Sequence, residues 1–176
     1  MAQKKKSNTV DIRAVIKEAV NAGLQAGHVA ANRTTGDAYK ATERRLYAYP
    51  VLLQKIADAK ERLQELAENG PPAHSKSIVR FSRSGVRLTP DEILEALVQD
   101  MTAAIAADEY EADTIAGALR TIEGDVYYST VAGRFLGGQT DDEIAASIPC
   151  EAPTVRRNRG RLIRKMAIWL YGAQAI

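Results

Sequence analysis

Six basic side chains and no acidic one lie between residues 152 and 176: Arg156, Arg157, Arg159, Arg161, Arg164 and Lys165. In the same segment Val155, Ile163, Met166 and Leu170 fall on one side at helical spacing, with Leu162 and Trp169 beside them. A helix with one apolar face and so much charge of one sign, with no acid nearby in sequence to pair it, calls for an anionic partner, and double-stranded DNA fits best. Arginine can grip guanine bidentately, and threonine can meet a thymine methyl or a phosphate. Arginines further along suit phosphates, which position a protein without reading sequence. The expected DNA contacts are therefore Thr154, Arg156, Arg157, Arg159, Arg161, Arg164 and Lys165. Two blander readings compete: a solvated basic helix, and a helix lying on an anionic membrane surface. Nothing else in the chain points to a membrane.

Such a helix needs a partner that sets its angle, and residues 140–151 are written for one. Thr140 followed by Glu143 is a capping box, and Asp141 and Asp142 add negative charge at a positive helix end. The spacing predicts a short helix over 141–148 with Ile144, Ala145 and Ile148 on one face, stopped by Pro149-Cys150. A second helix starts near Glu151 or Ala152, with Pro153 tolerated in its first turn. A small residue, a tight turn and Thr-Val-Arg-Arg opening a long helix make residues 140–171 a predicted helix-turn-helix.

The remaining chain reads as all-α. Residues 1–9, with Lys4, Lys5 and Lys6, form an expected disordered basic tail, and 10–69 an N-terminal helical region. Within it, 11–31 carries Ile12, Val15, Val20 and Leu24 at helical spacing, and 32–36 is a break. From 37 to 68 the pattern is helical, with Pro50 either opening a new helix or sitting inside a continuous one. Leu52, Ile56, Ala59, Leu63 and Leu66 repeat at coiled-coil spacing. That seam suits an antiparallel hairpin within the fold, which is favoured over a short dimerising coiled coil because only about two heptads are present. Residues 70–89 form a basic loop with Lys76, Arg80, Arg83 and Arg87, in which 77–83 alternates weakly as a short strand would. The C-terminal helical DNA-binding domain spans 90–176. Thr89 and Glu92 make a second capping box with Pro90 at the first helical position, opening a helix to about Ala107; further helices are expected over 109–122 and 125–136.

Composition narrows the function classes. The 176 residues are 45% hydrophobic, enough for a packed core in one or two small domains. No apolar run is long enough to span a membrane. The opening MAQKKKSN is basic without an apolar stretch, so a secretory signal is not expected. One cysteine, Cys150, rules out an internal disulfide and fits a reducing cytoplasm. His28 and His74 stand apart, so no metal or other cofactor is expected. Catalysis is not expected either: Asp141, Asp142 and Glu143 are explained by capping, no phosphate-cradling glycine loop is present, and Cys150 has no neighbouring histidine. The net charge of +2 hides an asymmetry, since residues 91–125 hold ten acids and one base, Arg120. These acids could neutralise the basic segment, or face away from it and keep it clear.

The segment LRTIEGDVYYSTVAGRFLGGQTDDEIAASIPCEAPTVRRNRGRLIRKMA resembles region 4 of sigma-70-type factors, through its Y…L/F-G-G helix ending, T-x-x-E-I-A, and T-V-R-R…R-L-x-R-K. The resemblance covers about residues 109–171. It implies a compact helical module whose last helix enters the major groove of a promoter, with Arg156 and Arg157 at base-reading positions and Thr154 near the backbone. Ala152 and Pro153 stand where members often carry polar readers. YKATERRLYAYP (39–50), SGVRLTPDEI (84–93) and the sigma-like end together are similar to phage and prophage late-gene regulators of the RinA/ArpU type. That resemblance implies transcription control of packaging and head genes in a host bacterial cytoplasm, with RNA polymerase as a partner. No aromatic and basic segment for promoter melting is present, so an activator is expected in place of a complete sigma factor. A small terminase-like packaging subunit, oligomeric and DNA-binding, is the alternative. A third reading is an interaction module whose basic helix docks an acidic protein.

Overall fold

The computed structural model describes residues 12–31, 37–70 and 89–175, and among these every regular element is helical. Helix α1 is Ile12–Ala31 and α2 is Ala38–Asn69. Helix α3 is Pro90–Arg120, and α4 is Ser129–Val131, which runs on into a π-helical turn, Ala132–Leu136. Helix α5 is Asp141–Ser147 and α6 is Ala152–Tyr171, followed by a 3-10 turn, Ala173–Ala175. The expected tail over 1–9, the break at 32–36 and the basic arm and short strand within 71–88 lie outside the described residues.

Helix α3 is the backbone of the fold, with α1 and α2 packed along it and α6 laid against both α2 and α3. The α2–α3 pair is antiparallel: Leu46 shares a cluster with Ile115, Leu119 and Ile122, while Leu63, further along α2, lies beside Thr102, Ile105 and Ala106. The seam of α2 is therefore satisfied within the chain, with Ile56 and Leu66 buried and Leu52, Ala59 and Leu63 half-buried. Pro50 lies inside α2, which continues through it. Segments on either side of residue 90 share one core, in which Leu46 meets Ile115, Val131, Phe135, Leu162 and Met166.

Two expectations need correction. The predicted helices over 90–107 and 109–122 are one helix, and its carboxylates at the expected break are neutralised: Asp108 pairs with Lys55, and Glu109 with Lys17 and Lys60. The predicted helix over 125–136 begins four residues later than expected. Residues 121–128 form turns, and regular structure begins at Ser129. Packing favours glycine at position 133 of the π turn, because a Cβ there would lie 3.0 Å from the buried Ile144 side chain and closer still to Gln139. On α1, Ile12 and Val15 are exposed, and Ile16, Val20 and Leu24 form the half-buried stripe.

The Trp169 indole packs into a gap left in α3 by Gly117. A Cβ built on Gly117 would sit 2.5 Å from Cη2 of the indole, closer than real carbons approach. Trp169 is the chain's single tryptophan and is 49% exposed, so its ring can swing into solvent. Gly117→Ala should therefore shift the intrinsic fluorescence to the red and lower stability by about 1–3 kcal/mol, the usual cost of overpacking, read by emission spectrum and denaturant melt.

Candidate nucleic-acid interface

The predicted helix-turn-helix is built from α5, residues 148–151 and α6. Helix α5 starts as its sequence dictates: Thr140 Oγ1 accepts from the Glu143 amide at 3.3 Å, and the Thr140 amide donates to Glu143 Oε2 at 2.7 Å. It stops at Ser147, one residue before the expected end, because Ile148 is extended and Pro149 follows. Ile144, fully buried, anchors α5 over the π turn, and Val155, also fully buried, anchors the first turn of α6. Arg134 of the π turn donates to the Tyr47 hydroxyl and the Gln139 carbonyl, tying α2 to the strand of chain that enters α5.

The charge on α6 is not unpaired as the sequence suggests. Arg156 Nε donates to Asp141 Oδ2 at 2.8 Å, and Arg159 grips the same carboxylate through both terminal nitrogens. Arg159 is 15% exposed and Asp141 19%, so this pair is an internal brace joining the first turn of α5 to the second turn of α6. Hydrogen bonding from Arg159, seconded by Arg156, depresses the Asp141 carboxyl to about 2 against the pull of burial. Arg161 makes a forked pair with Asp125, both N···O distances being 2.9 Å, and Arg164 lies over the Tyr39 ring at 5.7 Å. Arg157 and Lys165 are exposed and make no ion pair among the described residues.

Helical phase sorts these side chains. At about 100° per residue, Thr154, Arg157, Arg161, Arg164 and Lys165 share one side of α6, opposite the buried stripe Val155–Leu162–Met166–Leu170. Arg156 is rotated away toward α5, and Arg159 faces α5 outright. The seven expected contacts therefore divide into five along a solvent-facing stripe and two at the brace. The partner acids Asp125 and Asp141 lie 36 and 18 residues from the arginines they hold, a pairing with no local sequence signal. Cys150 is a free, half-buried thiol in the turn. Among the described residues no three His, Cys, Asp or Glu side chains come together to hold a metal ion, and no helix is long and apolar enough to cross a membrane.

The brace has a pH signature. Asp141 has its carboxyl below the ordinary 3.8, so its contribution is complete above about pH 4 and is lost as pH falls through about 2. Asp141→Asn should be less stable than the parent by about 1 kcal/mol at neutral pH, allowing for solvent screening. That gap should close on acidification from pH 4 to pH 2, as measured by thermal melts of both proteins across that range.

No protein-family model, curated protein or solved structure matches this chain, so the assignment of a function to this surface rests on its own residues.

Proposed function

We propose that the chain is a sequence-specific DNA-binding transcriptional activator, acting near promoters with host RNA polymerase on phage late or packaging genes. One observation carries the DNA-binding part. A short capped helix braces a 20-residue helix whose outer side presents Thr154, Arg157, Arg161, Arg164 and Lys165 with no acid on the helix itself. Recognition by such a motif places the start of the second helix in the major groove, where Arg157 reaches base edges and Thr154 approaches the backbone, while Arg164 and Lys165 meet phosphates. Arg156, off the stripe and turned toward α5, supports the motif through Asp141 and can reach a flanking phosphate with its 64% exposed side chain. The sigma-region-4 and RinA/ArpU resemblances supply the regulatory part of the proposal.

Selection of bound duplexes from a random pool tests the proposal as a whole: a sharp motif that maps upstream of a promoter is expected. Equal binding to all duplexes at physiological salt would overturn sequence-specific reading, and a motif at a packaging site would move the role to a DNA-packaging subunit. Arg157→Ala should cost about 1–3 kcal/mol and relax preference at one base position. Lys165→Ala should weaken all duplexes alike and flatten the salt dependence by about one phosphate's share, a slope change of about 0.9 in log K against log salt.

A further inference from the structure

The carboxylate of Asp125 occupies the edge of Arg161 that a ligand would use. Arg161 Nη1 and Nη2 donate to Asp125 Oδ2 and Oδ1, both at 2.9 Å, and Nε points at Asn158 Oδ1 at 3.4 Å. A guanidinium offers its donors in a rigid fork, so the end that could take a phosphate or a guanine is already occupied. Arg161 nevertheless sits on the outer stripe of α6 between Arg157 and Lys165, one helical turn from each, with half its side chain exposed. Asp125 is held from behind, since Oδ1 also accepts from the Tyr127 amide at 3.0 Å. Its turn lies on the same side of the molecule, where neighbouring Val126 is 82% exposed.

The contrast with Asp141 gives this pair its meaning. Asp141 and Arg159 are both largely withdrawn from solvent, and breaking them leaves an uncompensated inner charge. Asp125 is as withdrawn as Asp141, at 20% against 19%, but Arg161 is half exposed where Arg159 is 15% exposed, so solvent and a competing anion can reach Arg161 and exchange for the carboxylate. A phosphate approaching Arg157 and Lys165 also brings its negative charge toward Asp125, which repels it.

We propose that Asp125 is a specificity-determining positioning residue that gates Arg161: it withholds this arginine from an arbitrary duplex and yields it only to one whose groups are placed to replace the carboxylate. The inference rests on the DNA-binding reading of α6 and adds a negative element to it, since discrimination needs repulsion of wrong partners as well as attraction of right ones. Asp125 touches no ligand itself and acts through Arg161.

Asp125→Asn tests the gate, because the amide can keep an acceptor for the Tyr127 N–H while removing the charge and one of the two acceptors that hold Arg161. Binding of the full chain to a short mixed-sequence duplex is followed by fluorescence anisotropy across a salt series. Asp125→Asn should bind several-fold tighter than the parent, with a slope steeper by about 0.9 as Arg161 joins the phosphate contacts. In an Arg161→Ala background the same substitution should leave the slope unchanged. A purely structural role predicts weaker binding and a lower melting temperature, and that result, or an unchanged slope in the single variant, overturns the gate. Failure of the parent chain to bind any duplex at low salt overturns the DNA reading and the gate with it. A parent that binds while Asp125→Asn binds no better overturns the gate alone.

Discussion

Everything presented on the outside of α6 depends on how its inside is buried. Leu162, Ile163 and Met166 have no exposed surface, and Leu46, Ile115, Ile122, Val131 and Phe135 from four other parts of the chain complete the cluster around them. Each such side chain contributes about 1.5–3 kcal/mol on burial, so the rotation of α6 about its axis is fixed by a large and non-directional term. Rotation of the helix by one residue would bury an arginine in place of a leucine. The outer stripe is thus a consequence of core packing, and its five polar residues inherit a fixed orientation without needing contacts of their own.

The same packing separates the charges. The acids of α3 that face the bundle are met by cations from the N-terminal helices: Glu111 by the fork of Arg45 at 2.6 Å, Asp108 by Lys55, and Glu109 by Lys17 and Lys60. Arg45 also lies over Tyr171, at the last turn of α6, so the acidic helix and the basic helix are joined through an intermediary. Neutralisation of α3 therefore comes from α1 and α2, and among the described residues the ion pairs of α6 fall at two points, Asp125 and Asp141. The chain's near-zero net charge is a sum over these separate regions and describes none of them.

Sequence periodicity and capping chemistry are local, and what they specify was legible. Both capping boxes stand as the residues imply, at Thr89–Glu92 and Thr140–Glu143, and α1, α2 and α6 lie within a residue or two of their expected bounds. The α2 seam was legible as a seam, and its partner α3 could be named only once the bundle was closed. Three features were not legible, for one reason. The ion pairs of Asp108 and Glu109 inside the continuous α3 are made with lysines about 50 to 90 residues away. The close approach of Ile144 to Gly133 and the brace of Arg159 on Asp141 likewise join residues apart in sequence. Each is a tertiary contact that neighbouring residues do not announce.

This limit matters most for the arginines, because a count of positive charges treats them as equivalent. The helix makes them unequal in three ways: phase decides which face the solvent, burial decides which become structural, and a nearby carboxylate decides which are free. Arg159, read from sequence as one more phosphate contact, is the least available of the six, whereas Arg157 and Lys165 combine exposure with the absence of an ion pair among the described residues. Arg161 stands between these extremes, on the outer face but engaged. A basic helix of this kind is therefore graded, with inner residues that hold its angle and outer ones available to a ligand. The grading follows from two aspartates placed by the elements that precede the helix.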